Sequence, residues 1–247
     1  MPINTPTSNP STSFWDQMDW HPSSEQLEQF YKFQSLLKHW NQQVNLTRLL
    51  DGNDYWVSQV FDSLWPFKYE LKEQRKGLRC VDVGSGCGFP GLAVAIALPN
   101  AKVTLVEAIS RKSTILKTIS KELDLTSRIT ICNARAEKLA HDPLLRGSFD
   151  IAMARAVANT PVVAEYLVPL LKQKGEALLY RGKWNKTNKM ELDKTLIYLN
   201  ATIKKIERIE LPDNRGERHL ISIAPIGICS KKYPRAIGIP IKRPLGN

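Results

Sequence analysis

Apolar and polar positions change their period along the chain. From Ser23, the apolar residues Leu27, Phe30, Tyr31, Leu37, Trp40 and Val44 recur at helical spacing, with Ser23 and Gln26 as a capping-box pair. This predicts an amphipathic helix from about Ser23 to Gln43 whose aromatic stripe packs against a larger domain. A second helical stretch, Tyr55 to Leu64, leads to Trp65-Pro66. From Leu78 short apolar runs alternate with helical ones. Strands are predicted at Leu78–Val83, Lys102–Glu107, Ile129–Cys132, Ile151–Ala154, Ala177–Arg181, Thr202–Leu211 and His219–Ala224. Helices fill the gaps near Phe89–Leu98, Arg111–Leu123, Pro161–Leu171 and Thr187–Tyr198. Repeated strand–helix units mean a mainly parallel sheet covered on both faces. The last two strands are joined only by Pro212-Asp213-Asn214-Arg215-Gly216, a turn-rich link that returns the chain antiparallel. The expected organisation is α/β: a disordered lead-in (1–22), a helical extension (23–76), a seven-stranded domain (77–226) and a basic tail (227–247).

The first strand breaks into glycines, Val83-Gly84-Ser85-Gly86-Cys87-Gly88-Phe89-Pro90-Gly91, and then into an apolar helix. Such a loop lets the backbone approach a ligand closely, and the helix N-terminus offers free N–H groups to it. A dinucleotide fold has G-x-G-x-x-G. Here Gly84, Gly86 and Gly88 make G-x-G-x-G, with Asp82 at the strand end. That form, like the antiparallel ending of the sheet, resembles the class I S-adenosylmethionine (SAM) methyltransferases, a Rossmann-like fold. About twenty residues on, Glu107 ends the second strand. A carboxylate there accepts both hydroxyls of a ribose; the plainer reading is an exposed glutamate. After the third strand, Asn133-Ala134-Arg135-Ala136-Glu137 offers a main-chain N–H and a short polar side chain to an adenine edge.

The fourth strand ends in Ala154-Arg155-Ala156-Val157-Ala158. No Asn/Asp-Pro-Pro-aromatic motif, typical of transfer to exocyclic amines, stands here, and no Pro-Cys, needed for transfer to cytosine C5, occurs anywhere. Guanine N7 suits the site, because its lone pair needs no general base. Catalysis then rests on alignment, an effect worth roughly 7–11 kcal/mol at best. Arg155 would hold guanine O6 or a phosphate, or pair with Glu137 or Asp82; the two roles are compatible.

Lys and Arg number 35 against 24 Asp and Glu, a net charge of +11. This points to an anionic partner, RNA ahead of DNA or acidic lipid. No apolar stretch approaches the roughly 20 residues that span a bilayer, and the start lacks the pattern of a secretory signal. The four cysteines (Cys80, Cys87, Cys132, Cys229) form no C-x-x-C pair and have no histidine close by, so no metal site is expected and a reduced cytoplasmic setting fits. Arg111 and Lys112 open a helix at the pocket rim, as phosphate contacts or a solvated basic turn. Arg181, Lys183 and Lys186 surround Trp184, which either stacks on single-stranded RNA or is buried.

From about Asn45 onward, the chain resembles the bacterial small-subunit (16S) rRNA guanine-N7 methyltransferases (RsmG, also called GidB). The resemblance is carried by Asn45-Leu46-Thr47, Phe61-Asp62-Ser63-Leu64, Val81 to Gly91, Ala134 to Glu137, Ala154 to Ala158, Arg181-Gly182-Lys183, Glu217-Arg218-His219-Leu220 and the tail Lys231-Lys232-Tyr233-Pro234-Arg235 with Gly238 and Pro240. It implies SAM as cofactor and 16S rRNA or the 30S particle as partner, with one guanine of the 530-loop region methylated at N7 by a monomer. Gly84, Gly86, Gly88 and Phe89 would serve the methionine side, Glu107 with Ala108 and Ile109 the ribose, and Ala136 with Glu137 the adenine. Arg155 would stand between cofactor and RNA as the catalytic residue, and Arg111, Lys112, Arg135, Arg181 and Lys183 would bind RNA. Many relatives carry His ahead of Asp-Ser in the second segment, where Gln59-Val60-Phe61 stands here. Two other readings stay open: a small-molecule methyltransferase, which the charge disfavours, and an RNA-binding or assembly protein that keeps SAM as a structural ligand.

If about five phosphates are neutralised, log K for single-stranded RNA should fall with log salt at a slope of roughly −3.5. Filter binding across a salt series checks this, and a flat response contradicts the phosphate assignment.

Overall fold

The computed structural model describes residues 12–246. Helix α1 (Thr12–Asp16) precedes the long α2 (Ser24–Asn41), which starts at the expected capping box: Ser23 Oγ accepts from Gln26 N–H, and the Gln26 side chain accepts from Ser23 N–H. A compound helical segment follows: α3 (Gly52–Tyr55), a π-helical turn at Trp56–Phe61, α4 (Asp62–Leu64), a 3₁₀ turn at Trp65–Phe67 and α5 (Lys68–Glu73). The alternating part runs β1 (Arg79–Val83), α6 (Gly91–Ala97), β2 (Lys102–Val106), α7 (Ser110–Glu122), β3 (Ile129–Cys132), α8 (Ala136–Leu139), β4 (Phe149–Arg155), α9 (Thr160–Leu167), β5 (Leu171–Arg181) and α10 (Lys186–Leu199). Strands β6 (Ala201–Glu210) and β7 (Glu217–Pro225) close the sheet, and α11 (Ile239–Lys242) lies in the tail.

The seven strands lie in the order β3-β2-β1-β4-β5-β7-β6, parallel except for β7, which runs antiparallel to both β5 and β6. This is the class I methyltransferase arrangement, a Rossmann-like α/β fold. The expected helix to Leu171 stops at Leu167 because Pro169 cannot continue it, and Val168–Leu170 tightens into a 3₁₀ turn. β5 therefore begins six residues earlier than its apolar run at Ala177, with Leu171 paired to Phe149.

Successive side chains of a strand point to opposite faces, so residue parity sorts the sheet into two cores. Cys80, Val103, Leu105, Ile151, Met153, Leu178, Tyr180 and Leu220 face one, shared with α2 to α7. Val81, Val83, Val106, Ala152, Ala154, Ala177, Leu179, Ile221 and Ile223 face the other, shared with α8 to α10. Arg155 continues the parity of Ile151 and Met153, and Arg218 that of Leu220. Both therefore point toward the N-terminal helical extension.

The N-terminal lead-in differs from expectation. Of the lead-in, residues 1–11 lie outside the described residues. The rest is built into the first core, where Phe14, Trp15 and Met18 are buried and Trp15 meets Trp56 edge-on. Average composition concealed three large apolar side chains, and an aromatic ring alone buries about 150–250 Å². The tail is pinned to the second core. Arg146 donates to the carbonyls of Ala140, Cys229, Ser230 and Tyr233. Arg235 grips fully buried Glu165 through Nε and Nη2, and its main-chain N–H adds a bond of 2.7 Å to the same carboxylate. Arg235→Ala should lower the unfolding free energy by about 3–5 kcal/mol, since it leaves a buried carboxylate without its guanidinium; urea denaturation measures it.

Candidate active site

The C-terminal ends of β1, β2, β4 and β5 open into a cleft of about 960 Å³. Its far wall is the helical extension, which contributes Thr47, Ser58, Gln59 and Asp62. The floor is the glycine loop. Gly84 and Ser85 both donate to Val106 O, which ties the loop to β2. Gly84 has φ +77°, and a Cβ there would stand 2.6 Å from Val157 Cγ2. Gly88 does not line the cleft: it keeps space for Leu92 and for Phe33 of α2. Phe89 stacks on Phe33 with centroids 4.8 Å apart and carries the Arg155 guanidinium over its own ring at 5.7 Å.

Glu107 is buried and held from two sides: Oε2 accepts from Gly86 N–H at 3.0 Å and Oε1 from Ile109 N–H at 2.8 Å. Each oxygen keeps a further lone pair for a donor in the cleft. Below the loop, Asp82 is fully buried. Its Oδ2 accepts from Gly91 N–H at 3.0 Å, and its Oδ1 has no partner. Burial pushes its carboxyl up to about 7, against the opposing bond from Gly91 and the charge of Arg155. Burial also raises the Cys87 thiol, so this cleft residue stays protonated at neutral pH and is no nucleophile.

Arg155 is the most constrained side chain of the cleft. Nη1 donates to Ser58 O at 3.0 Å and to Asp62 Oδ2 at 3.1 Å, and Nη2 donates to Gln59 Oε1. The expected pairing with Glu137 or Asp82 is thus corrected to Asp62. Strand parity excludes Glu137, which packs on the opposite face, whereas Asp82 shares the arginine's face but is held beneath the loop by Gly91 N–H. Glu137 Oε1 accepts from Tyr166 O–H and Gly238 N–H, and neither Ala136 nor Glu137, both buried, lines the cleft. The next residue, Ala156, is left-handed at φ +58°, a conformation worth roughly 1–2 kcal/mol of strain for a residue with a Cβ.

Of the other sequence-predicted residues, Ile109, Lys112, Arg181 and Lys183 line the cleft with Gly86. Ala108 is exposed outside it. Arg111 reaches back to Gln43 O at 2.9 Å, Arg135 is exposed away from the cleft, and Trp184 is half-buried against the second core. The cleft residues given no role from sequence include Thr47, Ser58, Gln59, Asp62 and Arg218. A signal existed for one. Asp62 interrupts the apolar run Val60-Phe61-Asp62-Ser63-Leu64, and acids are seldom buried unpaired. Among the described residues no group of three or more metal-ligating side chains gathers, and no helix is long and apolar enough to cross a membrane.

The sequence profile of the family described as rRNA small subunit methyltransferase G matches residues 26–221. A protein named ribosomal RNA small subunit methyltransferase G from Prochlorococcus marinus (strain MIT 9313) is 55% identical over 240 residues, 97% of each chain. The chain belongs to this family. A second rRNA small subunit methyltransferase G, from Synechococcus sp. (strain WH7803), is 50% identical over 246 residues, covering 100% of this chain and 97% of that one. Among solved structures, the [4+2]-cyclase SpnF superposes with a TM-score of 0.53 at 15% identity, over 84% of this chain and 98% of that one. That likeness is one of fold.

Asp82 generates a pH prediction. Its folded value of about 7 lies above the ordinary 3.8, so between them the folded state keeps a proton that the unfolded state has lost. Stability from this group is therefore present at low pH and declines as pH rises toward 7, by a few kcal/mol in order of magnitude. Asp82→Asn, which retains an acceptor for Gly91, should flatten that decline in urea unfolding between about pH 4 and pH 8.

Proposed function

We propose that this protein transfers the methyl group of SAM to N7 of one guanine in the 530-loop region of 16S rRNA. The observation that carries the reading is the joining, in one cleft, of a glycine cradle and a doubly held carboxylate with five cationic side chains, Lys112, Arg155, Arg181, Lys183 and Arg218. The cradle and Glu107 fit SAM: Gly84 and Gly86 present bare backbone to the cleft, and Glu107 keeps acceptors for ribose hydroxyls. The cations fit a polyanion.

When bound, SAM supplies an electrophilic methyl group on a sulfonium. The rest falls to this chain's own residues. The glycine loop and Glu107 fix the donor end, and Phe89 with Arg155 forms the boundary between donor and RNA. Guanine N7 carries a free lone pair, so no side chain has to remove a proton. The residues present agree with this: the cleft thiol is held protonated, and the buried carboxylates are tied to main-chain donors or to arginine. Arg155 holds guanine O6 or an adjacent phosphate, leaving N7 free as the nucleophile, and alignment provides the acceleration. A base inside folded RNA must unstack to reach the cleft, which a loop target makes cheaper.

Incubating unmethylated 16S rRNA and 30S particles with isotope-labelled SAM, followed by nucleoside mass spectrometry, should yield labelled N7-methylguanine. No label in either, despite demonstrable SAM binding, would move the assignment to another acceptor or to a non-catalytic RNA-binding role. Arg155→Ala should cut turnover by about 10²-fold while SAM affinity is largely kept.

A further inference from the structure

The geometry points to Asp62 as a positioning residue of the cleft: one carboxylate, carried on the N-terminal extension, sets the spacing and direction of two guanidiniums that come from different strands. The inference rests on the function proposed above.

Asp62 is 3% exposed. Its Oδ2 accepts from Arg155 at the end of β4 at 3.1 Å. Its Oδ1 stands 3.2 Å from Arg218 Nε at the start of β7, in ion-pair range but off the line of a hydrogen bond. A carboxylate this buried is costly to desolvate, and an apolar side chain commonly serves stability better. What apolar packing cannot supply is a single anion between two cations that would otherwise repel each other at the mouth of a cleft.

The arrangement also leaves Arg155 with defined free donors. Three of its five N–H groups go to Ser58 O, Asp62 and Gln59 Oε1. Among the described residues nothing else accepts from it, so Nε–H and one Nη2–H remain for substrate. Gln59 extends the brace, its Nε2 donating to Thr47 Oγ1 at 3.0 Å. The extension therefore aims the two arginines as well as walling the cleft. Because Asp62 is negative inside a basic cleft, its removal separates two effects: RNA attraction rises while alignment is lost.

Asp62→Asn and Asp62→Glu test this, with thermal melts to verify folding. SAM affinity is read by calorimetry, RNA affinity by filter binding and chemistry by single-turnover methylation. For Asp62→Asn, SAM affinity should stay within about twofold and RNA affinity be equal or tighter, while the methylation rate falls by about a hundredfold. Asp62→Glu, which restores the charge, should recover part of that rate. A rate within about threefold of wild type, or parallel loss of SAM affinity, RNA affinity and rate, overturns the inference. If Asp62→Asn does not fold, Gln59→Ala carries the test: a slower rate at unchanged SAM affinity supports the brace, and an unchanged rate overturns it. Failure of the wild-type protein to methylate guanine would instead overturn the proposed function, so the two failures are distinguishable.

Discussion

The burial of the N-terminal aromatics against the sheet is the constraint on which the rest depends. Phe30, Phe33, Tyr55 and Trp56 are shut into the core that α6 and the odd-numbered positions of β2 and β4 also share. Phe33 is the pivot, stacking on Phe89 and lying where a Cβ on Gly88 would come within 3.1 Å of it. The glycine loop is thus shaped from below by an element some fifty residues earlier in the chain. The same packing stands Thr47, Gln59 and Asp62 opposite the strand ends. Helical extension and alternating domain share one core, with the cleft on their seam. A second tie reinforces it: Asn53 donates to Asp213 at 2.7 Å, and Arg215 pairs with Asp54, joining α3 to the turn between β6 and β7.

The sheet was legible because most of its strands contain an apolar run between turn or helix signals, and because G-x-G-x-G and Glu107 mark two successive strand ends. Those features are local. The partner of Arg155 was not legible, because it depends on which face of the sheet an arginine takes and on what covers that face. Parity answers the first question once the strand boundaries are known. Only the fold answers the second, placing the π-helical turn Trp56–Phe61 so that Ser58 O and Gln59 both meet the guanidinium. The lead-in was misjudged for another reason: composition describes an average, whereas Phe14, Trp15 and Met18 act singly in filling the first core.

Glu137 illustrates how a short motif can carry two meanings. The segment after β3 reads as an adenine contact, yet the carboxylate itself serves as a knot between α9 and the tail. Its neighbour Arg135 is exposed and Ala136 is buried, so adjacent letters of one motif meet three different environments.

Arg146 has a consequence for kinetics. Its guanidinium is spent on four carbonyls, as that of Arg128 is spent on those of Ala95 and Leu98, and none of these bonds removes a positive charge. Such arginines contribute to the long-range field of a +11 molecule without being available to grip a phosphate. Encounter with an anionic particle and the final contact surface are therefore governed by different sets of residues. Ionic strength then acts on the rate of approach through the whole molecule, and on the lifetime of a complex through those cations whose donors are left free to grip it.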